Sequence, residues 1–434
     1  MNKLNTLLST FFLAALVGCD DAKKAQDALD TQKATEQGDA VAQYDLGWKF
    51  TKGEGVPKDL AKAAECYRKA AEKGLKQAQY NLGVSYSTGE GVPKDVVKAV
   101  EWYRKAAEQG YAAAQYNLGA KYDKGEGVPK DSAKAVEWYR KAAEQGDATA
   151  QYALGVKYDT GEGVPKDSAK AVEWYRKAAE QGYAAAQHYL GARYLLGEGV
   201  PKDLVKAVEW YRKAAAQGVA IGQFGLGFMY EYGEGVPKDS SLAVEWYRKA
   251  AEQGNANAQD ALGSMYYKGE GVPKDSAVAV EWYRKAAEQG CAAAQYSLGL
   301  LYYKGEGAPK DSAEAVEWYR KAAALGNADA QLNLGFMYAN GEGVPKDSAA
   351  AVEWYRKAAE QGNAYAKFNL GLMYYKGEGV PKDTVSAYMY LNLASATQSK
   401  AAEVREILAK EMTRDQITEA QRLTREWKPT VRPK

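Results

Sequence analysis

Histidine occurs once in the 434 residues, at position 188, and cysteine three times, at positions 19, 66 and 291. One imidazole and three scattered thiols give no His/Cys metal cluster and no Cys–His pair for nucleophilic catalysis. Acids are plentiful, but they recur in register as helix caps and helix-face pairs, so no two carboxylates stand out for acid–base work. Charge of one sign is missing as well: 58 Lys and Arg face 56 Asp and Glu, for a formal net charge of +2. Without a basic block to neutralise many phosphates, nucleic acid is not an expected partner. After residue 17 every apolar run is broken within a few residues by Lys, Glu, Arg or Gly, so none is long enough to span a bilayer. Phenylalanine, with seven copies, and proline, with twelve, are sparse beside 33 tyrosines and 43 glycines, a skew that points to a repeated module.

The module is visible as a Leu-Gly pair at Leu46-Gly47, Leu82-Gly83, Leu118-Gly119 and onward to Leu370-Gly371, ten times at a spacing of 36 without insertion. Such regularity means one supersecondary unit stacked on itself. In the unit 110–145, the pattern predicts helix A from about Tyr111 to Asp123 and helix B from about Ser132 to Gln145. Ala114, Leu118 and Tyr122 form the apolar stripe of A, and Ala135, Val136, Tyr139, Ala142 and Ala143 that of B. Between them Gly125 stops helix A, Gly127 permits a second bend, Val128 pins the loop, Pro129 discourages helix and Asp131 caps helix B. A phosphate-cradling Gly-x-Gly is the alternative, but no strand precedes it and no Gly-Lys-Ser/Thr follows. Helix B carries Glu-Trp-Tyr-Arg-Lys-Ala-Ala in eight units. Glu137 and Lys141 are expected to pair at i,i+4, and Trp138 and its equivalents to pack in the core rather than form a stacking platform.

The combination Ala-x-x-x-Leu-Gly-x-x-Tyr-x-x-Gly-x-Gly-Val-x-x-Asp, then Lys-Ala-x-x-Trp-Tyr-x-Lys-Ala-Ala and a closing Gly, is similar to the Sel1-like repeats of the tetratricopeptide type. The resemblance covers about Gly38 to Thr397. It implies an all-α fold, a right-handed solenoid superhelix of ten helix–turn–helix repeats whose concave surface is lined largely by A helices. It also implies roles as scaffold, adaptor or regulator. Cysteine-rich relatives bind penicillin-like compounds or act as weak β-lactamases, but they carry paired cysteines in each repeat, which this chain lacks.

The N-terminus differs in composition. Lys3 gives a short positive region, Leu4 to Val17 is apolar, and Leu16-Val17-Gly18-Cys19 ends the run. That string resembles the lipobox of bacterial lipoproteins and implies lipidation at Cys19. Asp20 follows directly, which in many envelope lipoproteins favours retention at the inner membrane, facing the periplasm. The expected plan is a lipoprotein signal peptide at 1–18, a lipidated tether and N-terminal capping helix at 19–37, ten repeats at 38–397, C-terminal capping helices at 398–427 and an irregular tail at 428–434. The second C-terminal helix opens on a Thr413-x-x-Gln416 capping box.

His188 stands where other units carry Tyr116 or Phe224, and Cys66 stands at the tryptophan position, so both read as packing residues; Cys291 reads as a partly exposed variant position. Function is sought where repeats differ. Three residues after each Leu, units one to five carry Lys49, Ser85, Lys121, Lys157 and Arg193, and units six to ten carry Met229, Met265, Leu301, Met337 and Met373. One residue before it are Asn81 and Asn117 among others. These positions share a helix face, expected to border a groove that holds a protein or peptide partner: a polar, basic half followed by a methionine-rich half. No small-molecule cofactor is expected; membrane contact would come through the lipid alone. The competing readings are a β-lactam-binding cell-wall protein and a self-associating envelope spacer. If Cys19 carries the lipid, Cys19→Ser should release soluble or unprocessed protein from the membrane fraction. An unmodified N-terminus on the mature wild-type protein would contradict this.

Overall fold

The structure, a computed structural model, describes residues 38–429. The expected signal peptide at 1–18, Cys19 with the expected cap at 19–37, and residues 430–434 of the expected tail lie outside the described residues. The 22 helices among the described residues are all α, and no strand occurs among them. The chain forms two compact units, Met1–Ala214 and Ala215–Lys434. In each, helices pack chiefly on their neighbours in sequence, A against B within a repeat and B against the next A.

Repeat three shows why. Its A helix spans Ala112–Lys124 and its B helix Ser132–Glu144, within one residue of the expected bounds. Gly125 ends helix A in the left-handed region, with φ 72°. Asp131 then caps helix B, its carboxylate accepting from Lys134 N at 3.0 Å, while its own N–H donates to Tyr122 O at 2.9 Å. That second bond ties the connector to its own A helix. A Cβ on Gly127 would stand 2.6 Å from the carbonyl oxygen of Val96, at the start of the preceding B helix, so this glycine also seats one repeat on the next.

Within each repeat the A and B helices touch at the Leu-Gly glycine. A Cβ on Gly119 would lie 2.8 Å from the Tyr139 ring, and one on Gly155 2.6 Å from the Tyr175 ring. Only a glycine leaves room for the Cδ1–Cε1 side of the buried tyrosine ring to reach the A-helix backbone. Between repeats, Ala142 and Ala143 of one B helix join Ala150 and Leu154 of the next A helix in a continuous cluster. A glutamine in the first turn of helix A stitches this seam. Gln151 Nε2 donates to Ala143 O at 3.1 Å, and Gln181 Nε2 donates to Gln151 Oε1 at 2.7 Å. Where Leu325 replaces the second glutamine, Gln295 Oε1 is left without a partner. Arginine adds a third stitch, as in Arg104 donating to the Tyr122 hydroxyl of the next repeat at 3.1 Å.

Tryptophan departs from expectation. Trp138 and most equivalents are half-buried, closing the edge of the preceding core cluster, and the fully buried aromatic is the adjacent tyrosine. Lys141 lies over the Trp138 ring, 4.0 Å from its centroid, a cation–π contact in place of the expected Glu137 pairing. In repeat one Cys66 offers no ring, and there Lys69 does pair with Glu65, at 2.8 Å.

The array ends on Thr384–Ser395, against which the helices Ser399–Ala409 and Arg414–Glu426 both pack. The Thr413–Gln416 capping box forms as read. In repeat ten Lys367 replaces the seam glutamine, and its ammonium lies 4.2 Å from the Trp427 ring centroid. Burial holds its pKa below the usual lysine value.

The methionine stripe does not border a groove. Met229, Met265, Leu301, Met337 and Met373 are all buried. Met265 shares a cluster with Val244 and Tyr247 of the preceding B helix. Burial corrects the groove assignment for all five side chains, and at Met265 the tenth A-helix residue is seen to face the previous repeat. Met265→Gln should therefore cost about 1–3 kcal/mol, the price of an unpartnered buried amide, measured as a shifted urea midpoint. A midpoint equal to wild type would put Met265 outside the core.

Candidate functional site: the A-helix face

The basic half of the same stripe is also turned toward the previous repeat. Lys157 Nζ lies 2.5 Å from Asp123 Oδ1 of repeat three and 2.7 Å from Glu162 of its own connector. Burial opposes its charge, but the hydrogen bonds to Asp123 and Glu162 prevail and its pKa is raised. Arg193 repeats the arrangement one unit on, 2.6 Å from Asp159 and paired with Glu198, and Lys121 pairs with Glu126 at 2.6 Å. Lys121, Lys157 and Arg193 are thus rungs of an ion-pair ladder inside unit one, not free cations waiting for an acidic partner. In unit two methionine and leucine fill the same slot.

Asn81 and Asn117 are placed differently. Asn81 lies beside Tyr44 and Tyr67, and Asn117 beside Tyr80 and Tyr103, each lowering the pKa of those phenols against the effect of burial. Asn81 also lines an open hollow of about 220 Å³ between the A helices of repeats one and two, with Trp48, Thr51, Val84 and Ser85. A second hollow of about 280 Å³ lies between the A helices of repeats six and seven, Ala220–Tyr232 and Ala256–Lys268. Phe224, Phe228, Glu231 and Tyr232 line it from the first helix, and Asn257, Asp260, Ser264 and Lys268 from the second.

Both hollows draw on the same register. The ninth A-helix residue contributes Trp48, Val84, Phe228 and Ser264, and the twelfth Thr51 and Glu231. The same helix face carries exposed large apolar side chains: Trp48 and Phe336 at the ninth position, each 40% exposed, Tyr232 at the thirteenth, 58% exposed, and Tyr365 at the second, 64% exposed. These positions were not singled out from the sequence. The available signal was an apolar residue off the Ala114–Leu118–Tyr122 stripe that changes in size from repeat to repeat, as in Trp48, Ala120 and Phe336.

In the second hollow Asp260 occupies the fifth A-helix position, where repeats two to four have tyrosine and repeat six has Phe224. Burial pushes its pKa up to about 6. Its Oδ1 is covered and accepts no hydrogen bond among the described residues. Beside it, the Tyr247 hydroxyl donates to Glu231 Oε2 at 2.6 Å, and both burial and that carboxylate raise the phenol's pKa.

The other singled-out residues prove local. His188 packs in unit one between Tyr189 and Tyr211, at 5.4 and 5.3 Å between ring centroids. Cys66 is buried and Cys291 half-buried, both as free thiols, and burial raises both pKa values. Among the described residues no three His, Cys, Asp or Glu side chains gather as ligands for one metal ion.

Comparison with known proteins accords with this architecture. The family model described as Sel1 repeat matches ten consecutive segments, from 40–75 through 364–396. A crystal structure of a protective antigen present in uropathogenic Escherichia coli, with an SLR fold, is 40% identical, with a TM-score of 0.58 over 92% of this chain and 94% of its own. That of a Sel1 repeat protein from Oxalobacter formigenes is 38% identical, with a TM-score of 0.56 over 71% of this chain and 90% of its own. None of the curated proteins compared matches the chain. Ten matched segments running through ten helix pairs establish that the chain belongs to the Sel1 repeat family, with the all-α solenoid fold of that family.

Proposed function

We propose that the chain is a non-catalytic scaffold of the bacterial cell envelope, anchored by a lipid on Cys19 and facing the periplasm, that holds a polypeptide segment against its A helices. Sel1 repeats commonly serve as protein-interaction scaffolds, and the observation that carries the reading here is the set of exposed apolar rings on one face of the A helices, at their second, ninth and thirteenth residues. Trp48 belongs to unit one, and Tyr232, Phe336 and Tyr365 to unit two. Large rings presented to water at recurring positions lower the free energy when a partner covers them, and aromatic side chains dominate binding at such surfaces. Asn81 and Asn117, beside the tyrosines of the same helices, would supply polar contacts to a backbone. The location rests on the Leu-Val-Gly-Cys string and on Asp20, which favours the inner membrane.

Photo-crosslinking in intact cells tests the reading. A photoreactive residue at Trp48 or Phe336 should join a polypeptide other than this chain, whereas one at Glu137, exposed on a B helix, should not. Crosslinks only between copies of this chain would support self-association instead. Turnover of a chromogenic β-lactam by the purified protein would replace the scaffold reading with an enzymatic one.

A further inference from the structure

The hollow between repeats six and seven departs from the rest of the A-helix face in its chemistry. Four aromatic side chains, Phe224, Phe228, Tyr232 and Tyr247, share it with two carboxylates, Glu231 and Asp260. Lys268 is the single basic side chain among its lining residues, and it is exposed, so the hollow holds a net negative charge at neutral pH. Asp131 and Asp123 show the structural uses of a carboxylate in this fold: Asp131 caps a helix and Asp123 pairs with Lys157. Asp260 does neither. It replaces an aromatic ring at its register position, and its Oδ1 accepts no hydrogen bond among the described residues. An ionised carboxylate taken from water without a partner is unfavourable, and the Gln259→Ala251 seam beside it forms without its help. Asp260 therefore contributes nothing to packing that a tyrosine would not do better.

We propose that this hollow is a site for a guanidinium group, filled by an arginine side chain of a bound polypeptide. A planar guanidinium matches what is there: it stacks on aromatic faces and donates in a fork to a carboxylate. Rotation about χ2 presents either oxygen of Asp260 to the incoming group. Glu231 already accepts from Tyr247 at 2.6 Å, which holds its carboxylate in place beside the hollow. At about 280 Å³ the space accommodates an arginine head group with part of its methylene stem. The proposal deepens the scaffold reading and rests on it for the polypeptide, but the cation site can be tested separately.

The full chain is titrated with Nα-acetyl-arginine methylamide and with its neutral isostere Nα-acetyl-citrulline methylamide, read by saturation-transfer NMR or calorimetry. The arginine compound should bind and the citrulline compound should not. Asp260→Asn, which keeps the side-chain shape and removes an unpartnered charge, should weaken arginine binding by about tenfold or more, as loss of a hydrogen bond to a charged group does. Phe228→Ala should weaken it further, and Lys268→Met should leave it intact or strengthen it. Equal binding of the two compounds, or arginine binding unchanged by Asp260→Asn, would overturn the proposal. Lysine methylamide binding as well as the arginine compound would overturn the guanidinium assignment. Probe binding that depends on Asp260, together with no polypeptide crosslink at Phe336, would uphold this site and reject the polypeptide scaffold. The opposite pattern would do the reverse.

Discussion

The close approach of helix A to helix B, with a glycine against the Cδ1–Cε1 side of a tyrosine ring, sets the geometry of repeats one to nine, and Gly371 meets Leu391 in the same way in repeat ten. In repeat three the partners are Gly119 and Tyr139, and in repeat four Gly155 and Tyr175. Tyr175 is fully buried. With the ring pressed against the A-helix backbone, the inner alanines of helix B meet the next A helix, and each seam can be stitched by the same glutamine. A core built from alanine, one leucine and one tyrosine per repeat is thin. The recurring Gln and Arg hydrogen bonds, and in unit one the Lys157 and Arg193 ion pairs, fall at the seams between repeats, where that thinness would otherwise leave polar groups unmet.

This division of labour decides which surface is free. The third, fourth, seventh, eighth and tenth A-helix residues face neighbouring helices; the second, ninth and thirteenth do not. Of the first set, the third, fourth, seventh and eighth are nearly constant and the tenth changes only from Lys, Ser or Arg in the first five repeats to Met or Leu in the last five, whereas the ninth ranges from Ala120 to Trp48 and Phe336. Asp260 is the exception that crosses the boundary, a carboxylate at a position that elsewhere holds a ring or, in repeat nine, Leu332, and it changes the chemistry of the face around it.

The helices, their caps and the ten repeats were legible in the sequence because each is a local signal repeated many times: Gly125 after helix A, Asp131 before helix B, Leu118 with Gly119 between them. The face of the tenth residue was not legible. Lys157 and Met265 look like solvent and groove residues when a helix is considered alone, and only the adjacent repeat, bringing Asp123 to one and Val244 to the other, makes both interior. Tryptophan was misjudged for a similar reason. Its place beside the Tyr–Ala stripe assigned it to the core, and Trp138 does pack against a core cluster, but Lys141 on the next turn covers the ring and it is only half-buried. The unpaired carboxylate of Asp260 could not be read either, since an acid on a helix is ordinarily solvated or paired.

Gly155→Ala tests the central contact most directly, because two effects of the same substitution have opposite signs. Alanine in a helix interior is favoured over glycine by about 1 kcal/mol, so a loose contact would let the variant become more stable. The contact described here would place the new Cβ 2.6 Å from the Tyr175 ring, and forcing a methyl group into packed space costs about 1–3 kcal/mol. Thermal unfolding and amide hydrogen exchange of the full chain should show a lower midpoint, with protection lost first in repeat four and in the helices that pack on it. A midpoint at or above wild type, with protection around Tyr175 intact, would contradict the account.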